Sequence, residues 1–399
     1  MIEYRTAGES HGPAVVALLE GIPAGLPLSA EDLVPDLARR QKGYGVGPRM
    51  KAIERDRAQI LSGVLAGQTT GAPIAIVIWN RDHENWMGQS VEPMTIPRPG
   101  HADLTAATKY GYPDLRFGLE RASARETAGR TAMGAVCRAL LKRFGIRVGS
   151  YVTAIGQAEA DLSEIDPVDR LDRSEENEVR CPDDAAAEEM RAEIRAAMEA
   201  KDTLGGVFEV LALGVPPGLG SHVQWYTRLE SRLAQALMSV QAIKGVEIGG
   251  GFASARKRGT QVHDAIVPDG ERVGRRSNRA GGIEGGITTG EPLVVRAAMK
   301  PISTTLTPQD SVDLATTEAT ETQYERSDFC AVPRAAVVGE AMVLLVLADT
   351  LLEKLGGDTL GELEARFARM RKGRFEEYEL RGEPIVFWPR DDGKAAPND

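Results

Sequence analysis

The spacing of apolar and polar positions changes period several times along the chain, and each change marks an element. Residues 14–19 are almost continuously apolar and bounded by glycine and proline, which predicts a buried strand. The turn Gly21-Ile22-Pro23-Ala24-Gly25-Leu26 follows, then a helix over 32–41 stopped by Gly43, with Pro35 in its first turn. The same order returns far downstream. A strand over 207–213 leads through Gly214-Val215-Pro216-Pro217-Gly218-Leu219 into a helix from Thr227 to a stop at Gly245, with Thr227 and Glu230 at capping-box spacing. This repetition suggests two related halves sharing one core, although common turn chemistry gives the same order.

Two long helices stand out. Over 123–144, Ala128, Ala132, Val136 and Leu140 recur at helical spacing up to Gly145. Over 334–355 the chain is apolar almost all round until Gly356, which predicts a central buried helix. Glu340 and Asp349 in its most apolar run argue against a membrane span. A shorter amphipathic helix over 184–200 carries Met190, Ile194 and Met198 on one face. Residues 79–100, 254–282 and 300–330 lack sustained periodicity, and loops of that length are usually functional or disordered. No linker divides the chain, so residues 1–390 are read as one domain and 391–399 as a loose tail.

Composition adds three points. With 42% hydrophobic and 27% charged positions, the 399 residues suit a globular protein with a sizeable core. No apolar run follows a basic start, so no signal peptide is expected. Three widely spaced cysteines (Cys137, Cys181 and Cys330) fit a reducing compartment and offer neither a disulfide framework nor metal spacing, so a cytoplasmic protein is the plain reading. The net charge of −10 is carried by one segment: residues 159–202 hold 16 acidic and 6 basic side chains, and the rest balances at 42 of each sign. An anion can therefore bind elsewhere on the body. Residues 37–51, with Arg39, Arg40, Lys42, Arg49 and Lys51 and no acid, form a local basic patch.

Five segments carry candidate chemistry. In Gly8-Glu9-Ser10-His11-Gly12, an imidazole just ahead of a strand could pass a proton to a phosphate, or could simply fill hydrogen bonds in a turn. Arg98-Pro99-Gly100-His101-Ala102-Asp103 is a fixed turn whose arginine and histidine could face one anion. In the run from Arg121 to Arg130, Ser123 and Glu126 have capping-box spacing, which puts Ser123 at the N-cap of the long helix. The free amides there, with Arg121, Arg125 and Arg130, suit a phosphate or carboxylate; pairing of those arginines with Glu120 or Glu126 is the competing reading. The glycine-rich 280–290 loop permits close approach to a flat or anionic ligand but lacks dinucleotide-binding spacing. Lys300-Pro301-Ile302-Ser303-Thr304 offers a cation and hydroxyls. Arg326-Ser327-Asp328 sets an acid ahead of the most apolar helix, where a cap and salt bridge would serve as well.

Together and in this order, from Tyr4 to about Asp358, these segments resemble the chorismate synthases. Two places depart from the commonest pattern: Val46 stands where many members carry arginine, and Glu120-Arg121-Ala122-Ser123 replaces the more frequent Gly-Arg-Ser-Ser. The resemblance implies an α+β fold, a β-α-β sandwich with helices between two antiparallel four-stranded sheets and pseudo-two-fold halves, assembled as a homotetramer. It implies the 1,4-elimination of phosphate from 5-enolpyruvylshikimate 3-phosphate to give chorismate, the last step of the shikimate pathway. Reduced FMN would be the cofactor, with NADPH involved only indirectly, to reduce the flavin.

Carried over by position, the resemblance has His11 protonate the leaving phosphate with Ser10 beside it, and His101 stabilise the reduced flavin. Asp328 would take part in removing the ring proton, and Ser123 would join the proton network. Arg121, Ala122, Ser123, Gln241, Ala242, Gly285, Lys300, Pro301, Ile302, Ser303, Thr304 and Arg326 would contact the flavin. Arg40, Arg49, Arg98, Arg125 and Arg130 would clamp the substrate's carboxylates and phosphate, a task suited to the planar guanidinium fork. No metal is implied. The rivals are a flavin-independent phosphate-ester lyase and a polyanion-binding protein using residues 37–51 and 254–279. The absence of aromatic–basic interleaving speaks against nucleic acid, and no membrane partner is expected.

Overall fold

The computed structural model describes residues 1–45, 56–323, 328–380, 382–385 and 387. Arg49, Arg326, Val46 and the 391–399 tail lie outside them. The apolar stretch near the start forms β2 (Ala14–Glu20), which pairs antiparallel with β1 (Glu3–Ala7), Ala7 facing Val16. With β3 (Ala58–Ile60) and β4 (Ile74–Trp79) it builds a four-stranded antiparallel sheet in the order β1-β2-β4-β3. A second antiparallel sheet contains β5 (Arg147–Ile155), β6 (Ala158–Glu159), β7 (Gly206–Leu213), β8 (Ile243–Ile248) and β9 (Leu293–Met299), ordered β8-β9-β7-β5-β6. Its fifth strand exceeds the expected four. It is a two-residue return onto β5 across the turn at Gly156, whose φ is 58°.

Helices α1 (Val34–Gln41), α2 (Asp103–Tyr110), α3 (Arg116–Ala122), α4 (Thr127–Lys142), α5 (Asp184–Glu199), α6 (Leu229–Met238) and α7 (Val332–Leu355) complete the frame. Leaving shorter insertions aside, the element order repeats: β1, β2, α1, β3, β4, α4, then β5, β7, α6, β8, β9, α7. The strand order repeats too, because β1-β2-β4-β3 maps onto β5-β7-β9-β8.

Helix α4 lies on the first sheet, α7 on the second, and the two helices pack against each other. Glycine makes the approach possible: a Cβ at Gly134 would stand 2.5 Å from that of Ala341, and one at Gly339 would stand 2.5 Å from the Phe208 ring. Helix α7 is long and apolar enough to cross a membrane, but 94% of its most apolar window is buried inside the protein. Its one fully buried acid, Glu340, accepts hydrogen bonds from Arg39 of α1 at 2.7 Å, from Arg138 of α4, and from Ser150 of β5 at 2.7 Å. Asp36 also pairs with both arginines, and Glu175 joins Arg39 to Arg180. The acidic segment is thereby tied into the body. It packs through Leu171, Ala186, Met190 and Ile194.

Three sequence expectations are corrected. The helix expected over 227–245 ends at Met238, since Ala242 takes a left-handed φ of 64° and 243–248 crosses over to pair with β9. Thr227 does not close a box with Glu230; its hydroxyl donates to the Gln224 carbonyl in a preceding 3₁₀ turn. In α5, Met190 and Ile194 are buried but Met198 is exposed, and Ala197 takes the inward place.

Candidate active site

The loop carrying His11 is held from below. Asn80, at the end of β4, donates its side-chain amide to the carbonyls of Glu9 and Gly12 at 3.1 and 2.7 Å, and Ser10 N–H donates to the Glu120 carbonyl at 3.1 Å. His11 Nδ1 then lies 2.6 Å from Glu120 Oε1, while the His11 backbone N–H donates to Oε2 at 2.8 Å. The imidazole rests against Trp86, ring centroids 4.3 Å apart. Burial disfavours ionisation of Glu120, but hydrogen bonds and charge from His11 outweigh it and hold the carboxyl below the ordinary range. An ionised carboxylate only accepts, so His11 carries its proton on Nδ1.

Beside it, the Ser123 hydroxyl meets that of Ser10 at 3.2 Å and accepts from Arg125 N–H at 3.3 Å. Ser123 thus caps a 3₁₀ turn, Ala124–Glu126, that leads into α4. The box with Glu126 does not close. That carboxylate instead accepts from Thr6 and Gln241, each at 2.9 Å, and pairs with Arg130 at 2.8 Å. The remaining arginines also meet protein partners. Asp56, buried, bridges Arg40 at 3.0 Å and Arg125 at 2.6 Å, and Arg125 donates to Asn80 Oδ1 at 2.7 Å. Arg121 donates to the carbonyls of Thr6 and Gly8. The charge that sequence reading left to a bound anion is met in part by Asp56 and Glu126.

A second histidine–carboxylate pair lies in the 98–103 turn. His101 Nδ1 is 2.5 Å from Asp103 Oδ1, and Arg98 donates to both oxygens of Asp103 at 2.8 and 3.0 Å. Burial opposes ionisation of Asp103, but the hydrogen bonds from His101 and Arg98 and the Arg98 charge prevail, holding it far below the carboxylate range. Its ionised form fixes His101 Nδ1 as a donor, so the 3.1 Å approach of Arg98 Nη2 to that nitrogen is a contact and not a hydrogen bond. Arg98 also donates to Thr304 at 3.0 Å, and Lys300 donates to the Gly100 carbonyl at 2.6 Å and to Ser303 at 3.2 Å.

The two pairs are joined by a chain of contacts. Arg121 meets Thr6, Thr6 meets Glu126, Glu126 meets Gln241, and the next carbonyl, that of Ala242, accepts from Lys300 N–H at 2.9 Å. Most candidates therefore lie along one hydrogen-bonded rim. Gly285 is off it, at the tip of a small hairpin whose Gly286 carbonyl accepts from Leu229 N–H. Asp328 pairs with Arg334 near the start of α7, and the carbonyl of the next residue, Phe329, accepts from Leu204 N–H at 2.9 Å. A cavity of about 230 Å³ between β1, α6 and α7, lined by Tyr4, Arg232, Ser239 and Asp349, holds none of the candidates. Sequence reasoning missed Glu120, Asp56, Asn80 and Trp86 as site residues. Glu120 alone had a signal, as a departure from the commonest pattern.

The sequence model of the family described as chorismate synthase matches residues 2–352. The chain belongs to the chorismate synthase family. It is 54% identical over 384 residues to the chorismate synthase of Aquifex aeolicus, covering 92% of this chain and 96% of that protein. It is 54% identical over 373 residues to that of Rubrobacter xylanophilus, covering 91% and 95%. A crystal structure of chorismate synthase superposes with a TM-score of 0.76 at 47% identity, over 92% of this chain and 96% of that one. The reaction of a chorismate synthase is a lyase elimination: 5-enolpyruvylshikimate 3-phosphate loses phosphate to give chorismate, closing the shikimate pathway of aromatic amino acid biosynthesis. The family works with a reduced flavin.

Proposed function

We propose that the rim from His11 to Thr304 is where this elimination takes place, with FMN as the flavin. The observation that carries the reading is the pair of histidine–carboxylate dyads set at either end of a rim of arginine and lysine. His11 gives a proton to the departing phosphate oxygen, with the Ser10 and Ser123 hydroxyls completing its network. Arg40, Arg49, Arg98, Arg125 and Arg130 orient the phosphate and carboxylates. The pairing of Arg40, Arg98, Arg125 and Arg130 with Asp56, Asp103 and Glu126 means that these four act as braced donors within a neutralised lattice. Asp328 takes part in removing the ring proton.

The residues present fit a flavin. Gln241 Oε1 is buried with no partner among the described residues, an acceptor that a flavin ring N–H can satisfy. At Gly100 a Cβ would stand 2.9 Å from Lys300 Nζ, so the glycine keeps that cation's approach open. Arg121, Ala122, Ser123, Gln241, Ala242, Gly285, residues 300–304 and Arg326 would hold it, with His101 beside its pyrimidine edge. When bound, reduced FMN supplies electron density to the breaking C–O bond and takes it back, with no net redox change. NADPH enters only to reduce the flavin.

The same reading takes residues 1–390 as one domain, its helices sandwiched between two sheets with pseudo-two-fold halves, in a cytoplasmic homotetramer. The repeated element order supports the halves. The test is anaerobic phosphate release from 5-enolpyruvylshikimate 3-phosphate with FMN reduced, oxidised or absent. Chorismate only in the reduced sample is the expected result; release without flavin would favour the flavin-independent lyase.

A further inference from the structure

Glu120, near the end of α3, turns its carboxylate onto the loop that carries His11. Both its oxygens are spent on His11: Oε1 on the ring Nδ1 at 2.6 Å and Oε2 on the backbone N–H at 2.8 Å. The side chains of the pair are only 18% and 15% exposed, which strengthens their attraction relative to water. The Trp86 ring packs against the imidazole, tilted 40° to it, and an aromatic face also favours a cationic partner. His83 Nδ1, in the same short helix as Trp86, lies 2.9 Å from the His11 carbonyl and helps to hold the loop.

We infer that Glu120 is a positioning residue for proton delivery, holding His11 as an Nδ1–H imidazolium whose Nε2 is the atom that gives up the proton. Glu120, held ionised, has no hydrogen to donate and can only accept, so the hydrogen between Oε1 and Nδ1 belongs to the ring. Loss of the reacting proton therefore occurs at Nε2, and the neutral product is the Nδ1–H tautomer. Glu120 stabilises the cation before transfer and sets the ring plane during it. The inference rests on the proposed role of His11.

The test compares Glu120→Gln, Glu120→Asp, His11→Ala and the double variant His11→Ala/Glu120→Gln, using reduced FMN and substrate varied up to saturation. Glutamine keeps the shape and an acceptor for the His11 backbone, but it presents an NH₂ group or a neutral oxygen to Nδ1. Glu120→Gln should lower kcat by ~100-fold, within the range for losing the carboxylate that orients a catalytic imidazole, while KM changes less than about 3-fold. Glu120→Asp should recover part of kcat. The double variant should be no slower than His11→Ala alone, a non-additivity that a structural role for Glu120 would not produce. A folded Glu120→Gln with wild-type kcat beside an inactive His11→Ala would overturn the inference and leave the His11 reading standing. An active His11→Ala would remove both.

Discussion

Replacing Glu340 tests how much of this fold hangs on one buried charge. The carboxylate is fully buried in the middle of α7, and its oxygens accept from Arg39, Arg138 and Ser150. With Asp36 and Glu175 it balances Arg39, Arg138 and Arg180, three carboxylates against three guanidinium groups. Removing one partner of a buried pair costs ~3–5 kcal/mol, because the other charge is left uncompensated. Asp36 and Glu175 remain to hold Arg39 and Arg138, so Glu340→Ala should fall at the lower end, ~3 kcal/mol. Glu340→Gln, which keeps the acceptor but not the charge, should lose roughly half of that. Urea unfolding followed by far-ultraviolet circular dichroism reads the loss as a lower midpoint at unchanged slope. The pH dependence carries a second check. Burial opposes ionisation of Glu340, but Arg39 and Arg138 hold its carboxyl far below the ordinary range. Its stabilisation is therefore whole above the unfolded value and drains as pH falls toward the native one. The gap between wild type and Glu340→Gln should narrow between about pH 5 and pH 3. A Glu340→Ala protein within about 1 kcal/mol of wild type, or a gap that does not narrow, would refute the reasoning.

Two further outcomes follow from the packing and the second dyad. Gly134→Val should destabilise the fold by about 1–3 kcal/mol or more in the same urea assay, since the added carbons meet the α7 backbone at Ala341 and not a movable side-chain end. Asp103→Asn should free His101 and leave Arg98 without its charge partner; the reduced FMN concentration giving half-maximal turnover should rise about 10-fold or more, measured by anaerobic titration.

The strands at 14–19 and 207–213 and the helices at 123–144 and 334–355 were legible because their apolar runs are long and their stops are glycines. The end of α6 was not. Nothing in the local pattern of 239–245 outweighs helix continuation, and the strand β8 exists because β9 offers it a ladder. Ser123 was placed at a cap by its spacing, yet the partner expected to close the box was taken by Thr6 and Gln241 from far along the chain and by Arg130 one helical turn on. The site divides in the same way. Residues inside short motifs, such as His11, Arg98 and His101, could be chosen by type. Asp56 and Asn80 carry no motif and matter only because the fold brings Arg40 and Arg125 to them.

The repeated element order bears on where activity can arise at all. His11, Arg98, Arg121 and Ser123 precede β5, in the first repeat; Gln241, Lys300 and Thr304 follow it, in the second. Among the described residues, the rim between them is closed by contacts that cross from one repeat to the other, Gln241 to Glu126 and Lys300 to Gly100, where α4 also packs on α7. If the reaction runs on this rim, as proposed, neither repeat owns a reaction centre: the active surface is a seam, complete only where the two halves meet.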